Sequence, residues 1–446
     1  MKKLIEKIKK YFNIGNVAKN VSWIILQNIY TMILGLLTTS IVARSLGTSG
    51  YGTLNFCLSY VALFSFIAIF GTNHIILKDL SEKKYDSGIV LGTNFGVRVV
   101  LSLISLIISQ IVSFILYRDI NIQIIVLLFN INTILSSCDV ISYYAQSKIE
   151  NKYISISKII STTIFSVIKV VFALCKASIV LYAMSYIIET IIYSILLVIS
   201  YNKIKDNNVR WSFDKNYMKL LLNSGKYYAF SSLMITIYLR IDQVMLGSFF
   251  SDKSAVGIYS AAVRISEIWT FVPLAIITSY KPVVIKSKNI SDEQYYNNLK
   301  YLYNFASLMC FLFVICICIF GKIGIYVLYG NGYMEAYIPL LILTFGVWIG
   351  VLGNIHFIWM TCTKNDKYSI IYSVTGCIVN VVLNFILIPK IGIIGAAIAT
   401  LISQIFSNII SFMFVKEARK ISIMLIKSLN PIYSLKNVML RRKNEQ

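Results

Sequence analysis

The sequence predicts an all-α integral membrane protein with twelve transmembrane helices in two six-helix bundles, and three observations carry that reading. Twelve apolar stretches follow one another at 17–41, 54–76, 89–116, 122–141, 154–174, 179–199, 217–249, 255–280, 299–320, 336–362, 368–388 and 391–415. Each reaches the roughly 20 residues needed to cross a bilayer. The composition is 57% hydrophobic and 14% charged, against about 45–50% and about 25% in soluble proteins. A long connection carrying charge of both signs lies at mid-chain, with Lys203, Lys205, Arg210 and Lys215 beside Asp206 and Asp214, and leaves six spans on either side. Backbone inside hydrocarbon must bond to itself, which selects helices.

The organisation that follows is a basic amphipathic N-terminal helix at 1–16, a six-helix lobe at 17–202, an inter-lobe loop at 203–216, a second six-helix lobe at 217–416 and a basic tail at 417–446. In the first segment Leu4, Ile5, Ile8, Tyr11 and Phe12 share one helical face, the pattern of a helix lying on a membrane surface. The tail cations Arg441, Arg442 and Lys443 read as an anchor near anionic lipid.

A net charge of +23 would suit nucleic acid, but its placement fits a membrane instead. On one side the loops carry only Arg44, Arg118, Lys176, Lys253, Lys322 and Lys390, and the other loop and terminal cations gather opposite. The positive-inside rule then makes both termini cytoplasmic. The eight cysteines show no metal or redox spacing and read as packing residues. His74 and His356 are isolated, which leaves no zinc site. There is no phosphate-binding loop of the G-x-x-x-x-G-K-[ST] type, so uphill transport would draw on an ion gradient, a lipid-linked driving force or a partner.

The halves echo one another weakly. Leu46-Gly47 and Tyr51-Gly52 between spans one and two match Leu246-Gly247 and Val256-Gly257 between spans seven and eight, and Tyr182-Ala183 matches Ala397-Ile398. Parallel repeats of this kind usually enclose a transport path, so two lobes around a central cavity are expected; tight turns alone would also explain the glycines. Pro273 marks span eight as a candidate bending element, with ordinary packing as the alternative.

Charges inside the spans are the candidate functional residues, because a central charge costs about 2.5–3.5 kcal/mol and tends to face water or a partner. The cations are Arg98, Lys158, Lys169, Lys219, Lys226, Arg240, Arg264 and Lys300; the acids are Asp139, Glu189, Asp242 and Glu267. Lys158, Thr162, Phe165 and Lys169 follow helical steps of four, three and four and form one electropositive stripe. Arg240 and Asp242 point to different sides of span seven, while Arg264 and Glu267 share a face of span eight. A crossed network, Asp242 to Arg264 or Arg240 to Glu267, is one reading. The other is a cation array for an anionic substrate, with the four acids available to a coupling proton or sodium ion. Tyr143, Tyr144, Tyr227, Tyr228 and Tyr238 are candidates to line the path, with the interfacial belt or the core the leading place for any one of them.

The strings Asn20-Val-Ser-Trp23, Ile41-Val-Ala-Arg44-Ser-Leu-Gly47, Tyr51-Gly52-Thr-Leu-Asn55-Phe56, Arg240-Ile-Asp242-Gln243-Val-Met-Leu-Gly247, Val256-Gly-Ile-Tyr-Ser-Ala-Ala262 and Gly392-Ile-Ile-Gly395-Ala-Ala-Ile-Ala-Thr400, in this order, resemble the Wzx-type polysaccharide-biosynthesis flippases of the multidrug/oligosaccharidyl-lipid/polysaccharide exporter superfamily. The resemblance implies a V-shaped, MATE-like pair of bundles around a central cavity in a bacterial cytoplasmic membrane. It implies a transporter rather than an enzyme, moving undecaprenyl-pyrophosphate-linked oligosaccharides to the outer leaflet by alternating access for O-antigen or capsule synthesis. Implied partners are that lipid-linked substrate, membrane lipids, and a polysaccharide polymerase with its chain-length machinery; no nucleic acid and no cofactor are implied. Anion attraction maps onto Arg98, Lys158, Lys169, Arg240 and Arg264, and coupling or gating onto Asp139, Glu189, Asp242 and Glu267. Relatives often carry proline and tryptophan where this chain has Asp139 through Tyr144. The rival readings are an ion-coupled multidrug exporter, disfavoured by the cationic interior, and a membrane polymerase, disfavoured by short loops.

Overall fold

The computed structural model describes residues 14–206, 209–363, 365 and 368–444, and the side chains of all of these except 14–19, 21, 74 and 441–444. Residues 1–13 of the surface helix expected at 1–16, and the side chains of His74, Arg441, Arg442 and Lys443, lie outside that description. Every regular element among the described residues is a helix: α1 Ile14–Ile69, α2 Thr72–Glu82, α3 Ser87–Leu116, α4 Ile120–Leu135, α5 Val140–Ser147, α6 Asn151–Leu174, α7 Ile179–Ile204, α8 Lys215–Phe249, α9 Ser254–Ile268, α10 Phe271–Lys288, α11 Asp292–Tyr329, α12 Tyr337–Thr363, α13 Tyr368–Ile405, α14 Ser411–Phe414, α15 Arg419–Ser428 and α16 Pro431–Asn444.

Ten of these stretches are long and apolar enough to cross a membrane, and two of the ten, Ser22–Ile69 and Tyr368–Phe414, are long enough to cross twice. Each doubles back at a single glycine, Gly47 at φ 68 and Gly392 at φ 56, in the left-handed region that glycine enters without a Cβ penalty. That restores twelve crossings. The apolar pattern predicts a loop at 42–53, whereas the helices run up to Gly47 from both sides, because one glycine suffices for the reversal. It also predicts span two unbroken to residue 76; the helix stops at Phe70 and Gly71, both at positive φ, and restarts as α2.

The break in span eight falls at Trp269–Thr270, between α9 and α10. Trp269 stands four residues before Pro273, the position whose carbonyl a proline ring displaces, so the expected bend occurs one turn before the proline itself.

The chain forms two compact units, Met1–Leu46 with Cys57–Thr236 and Gly47–Phe56 with Ile237–Gln446. In the first, α3 shows the inverted amphipathicity of a membrane helix. Ser102, Ser105, Ser109 and Ser113 are buried while Val100, Leu103, Ile107 and Ile111 are exposed. The small buried face lets neighbours approach: Tyr60 donates to the Ser109 carbonyl at 2.8 Å and Asn130 to Ser109 Oγ at 3.1 Å.

Residues 209–214 of the inter-lobe loop are seated on this unit. Gly88, Gly92 and Gly96 recur every four residues on α3, and a Cβ on Gly92 would stand 2.5 Å from the Ser212 carbonyl oxygen. Trp211 donates to Tyr201 at 2.9 Å and packs on Phe95. Nearby Lys148 and Asp206 pair at 2.5 Å at the unit's surface; this bond holds the Asp206 carboxyl below the usual carboxylate range.

In the second unit the echoed glycines meet one another. A Cβ on Gly52 would lie 1.8 Å from the Lys253 carbonyl oxygen, and one on Gly257 would lie 2.1 Å from that of Thr48. Its core gathers Trp269, Tyr295, Tyr303, Trp348 and Trp359 with Ile409 and Phe412. His356, 1% exposed, sits within it, Nδ1 at 2.9 Å from the Tyr303 hydroxyl. No cluster of His, Cys, Asp or Glu able to hold a metal occurs among the described residues.

Candidate functional site

The interior charges form two separate groups, one in each unit. In the first unit, span four is interrupted by a 3₁₀ turn, Ser136–Asp139, between α4 and α5. This turn places Asp139 within electrostatic reach of Arg98 and Lys158 and within hydrogen-bonding reach of Ser142 and Tyr193. Arg98, 5% exposed, donates from Nε to Thr72 at 3.0 Å and from Nη2 to Asn73, with its guanidinium 5.6 Å from the Tyr143 ring.

The stripe on α6 is present as the helical spacing requires, but it is not a bare electropositive wall. Glu189 of α7 accepts from Lys158 at 3.0 Å and from Thr162 at 3.1 Å. Lys158 therefore pairs across to α7, because a half-buried ammonium is better compensated by a carboxylate than by a long reach to the surface. Lys169, 5% exposed, lies 3.9 Å from the Phe165 ring and 4.1 Å from that of Tyr186. A desolvated cation gains about 2 kcal/mol or more from such faces.

In the second unit the helical period separates neighbours on α8 as expected: Arg240 is exposed and Asp242 is 5% exposed. The bond from Asp242 to Arg264 does not form. Asp242 Oδ2 instead accepts from the hydroxyls of Tyr259 at 2.5 Å and Thr400 at 2.7 Å. Behind Thr400, Asn384 donates to Asn380 Oδ1 at 3.0 Å, and Asn380 approaches Thr400 at 3.5 Å. Asp242 Oδ1 and Asn384 Oδ1 are buried without a hydrogen-bond partner. Glu267 and Arg264 are exposed on α9, and Glu267 lies in the field of both Arg240 and Arg264. Among the described residues none of these three makes an ion pair within 4 Å.

Tyr144 and Tyr238 take the core alternative, at 1% and 7% exposure, whereas Tyr227 and Tyr228 are exposed. Sequence reasoning missed Thr400, Asn380 and Asn384 as companions of Asp242. The available signal was a pair of asparagines one helical turn apart in an otherwise apolar span.

Residues 17–284 match the family described as polysaccharide biosynthesis protein. The chain is 26% identical over 243 residues to the capsular polysaccharide biosynthesis protein CapF of Staphylococcus aureus, covering 53% of this chain and 60% of that one. It is 28% identical over 207 residues to the probable flippase AglR of Haloferax volcanii, covering 43% and 40%. The matches thus span about half the length of these relatives. In fold, the lipid II flippase MurJ aligns at TM-score 0.71 and 17% identity over 93% of this chain and 95% of MurJ. An inward-facing multidrug resistance MATE family transporter of the MOP superfamily aligns at 0.70 and 15% identity, over 89% and 95%.

Proposed function

The chain belongs to the polysaccharide biosynthesis protein family, and from that premise we propose that it is a flippase for polyprenyl-pyrophosphate-linked oligosaccharides. It carries them from the cytoplasmic to the outer leaflet of a bacterial cytoplasmic membrane, both termini lying in the cytoplasm. The observation that carries this reading is the two exposed cations of the second unit, Arg240 and Arg264, with the exposed acid Glu267 in the field of both. Guanidinium groups that make no ion pair within 4 Å among the described residues suit a pyrophosphate, since they match phosphate oxygens. Lys169, held among aromatic rings, supplies the first unit's cation. Transport proceeds by alternating access: the two units rock, the headgroup crosses, and the polyprenyl tail stays in lipid.

Coupling is assigned to Asp242. Its Oδ1 and Asn384 Oδ1 are buried acceptors awaiting a positive partner, and a buried unsatisfied oxygen in a folded protein calls for an ion, a proton or a water. Asp242 and the Thr400 hydroxyl that bonds it would supply oxygen ligands to sodium, and Asp242 alone suffices for a proton. Asp139 and Glu189, already engaged with Arg98, Lys158 and Thr162, act as gating rather than coupling groups.

The test uses purified protein in liposomes loaded with a polyprenyl-pyrophosphate oligosaccharide, read by a membrane-impermeant sugar-modifying reagent. Leaflet exchange that depends on a sodium or proton gradient, and that falls in Arg264→Ala at unchanged protein level, is expected. Cation-drug efflux without lipid exchange would establish the exporter reading that the MATE likeness equally permits.

A further inference from the structure

We infer that the basic tail is not a cytoplasmic extension: α15 and α16 form a re-entrant hairpin immersed in one leaflet, its outer face covered by lipid acyl chains. The depth follows from what the hairpin tip touches. Ser307 Oγ donates to the Ser428 carbonyl at 2.5 Å and itself accepts from Trp348 Nε1 at 3.1 Å. Ser307 lies seven residues past Lys300 in the uncharged run 301–321 of α11, or about 10 Å inside at 1.5 Å per residue. Trp348 stands at the middle of the uncharged run 336–363. The hairpin base sits at the charged end, where Glu417 accepts from Tyr368 at 3.2 Å and Lys420 lies over the Tyr296 ring. Ten residues of α15 span about 15 Å, half of a hydrocarbon core of about 30 Å.

Non-helical backbone at such depth is tolerated only where protein satisfies it, and the tip does so. Ser434 Oγ also bonds the Ser428 carbonyl, at 2.8 Å, and Asn304 Oδ1 at 2.9 Å. Asn430 Oδ1 accepts from the amides of Ile432 and Tyr433 at 3.0 and 3.1 Å, closing the start of α16. Ser422, Ser428 and Ser434 are fully buried, while Ile423, Ile426, Ile432, Leu435 and Met439 are exposed. This small-polar-inward, apolar-outward order repeats that of α3 and marks a lipid-facing surface. The exposed Lys427 and Lys436 extend along the hairpin toward headgroups, as long stems allow.

The inference is independent of the cargo. In full-length protein whose native cysteines have been replaced, a spin label at I432C in liposomes is expected to collide freely with oxygen and about tenfold less with a water-soluble nickel complex than a label at K416C, because water is excluded from that depth. L435C should behave as I432C does. Strong collision with the nickel complex at both tip positions would place the tail in water. Protection from both reagents would mean that a second protein covers the face. Either result overturns the inference.

Discussion

The first unit sets Arg98 and Lys158 against Asp139 and Glu189, leaving Lys169 to aromatic rings, whereas the second leaves its arginines without an ion pair among the described residues. Lys158 meets Glu189 and Thr162, and Arg98 shares Asp139 with Lys158. In the second unit a buried carboxylate keeps one oxygen unpartnered among the described residues, while Arg240, two residues before it, and Arg264 on α9 stand exposed. A closed network holds helices; an open one attracts ions that diffuse. The difference teaches that intramembrane charge by itself does not locate a binding site, and that the state of its partners does.

The sharpest way to break this contrast is Asp242→Asn. It should remove the dependence on an ion gradient and slow translocation about ten- to hundredfold, the equivalent of the roughly 1.5–3 kcal/mol carried by a bond to a charged group. Gradient-dependent flux that survives the change would show the second unit's carboxylate to be structural. Glu189→Gln tests the closed side. It should lower thermal stability by about 1.5–3 kcal/mol by leaving Lys158 underpaired, and the joint replacement of Lys158 and Glu189 by methionine should recover much of that loss. A measured midpoint unaffected by the single change would refute the network.

Gly92→Leu should cost about 1–3 kcal/mol through overpacking and expose residues 209–214 to protease, since its side chain would occupy the place of Ser212. An unchanged cleavage pattern would mean the loop is not seated on α3. The smallest effect is expected from Asp206→Asn. The Lys148 bond depresses the Asp206 pKa, so its contribution is present above the ordinary carboxylate value of about 3.9 and is lost as pH falls through the lower folded value. Transport near neutral pH should be unaltered, while the stability profile of the variant should lie slightly below that of the parent above about pH 4 and merge with it in acid.

Much of the fold was legible because span length and apolar run length are the same quantity, read once along the chain. The glycine reversals at Gly47 and Gly392 were harder, since a single residue interrupts neither run. The stripe from Lys158 to Lys169 was visible in helical spacing, but its neutralisation by Glu189 was not, because that acid arrives from another helix. Asp242 stood out as a charge; Thr400, Asn380 and Asn384 are neutral and become meaningful only when α13 brings them to it. The tail is hard to read for a related reason. Its lysines dominate composition, while the serines that bind it to Ser307 and Asn304 look unremarkable in a row.

The most direct test of the flippase assignment is the leaflet distribution of lipid-pyrophosphate-linked repeat units after deletion of the gene, read with an impermeant sugar-modifying reagent on intact cells and on inverted vesicles. Complete units confined to the cytoplasmic face are expected. Units accumulating singly on the outer face, or intermediates unchanged from the parent strain, would contradict it.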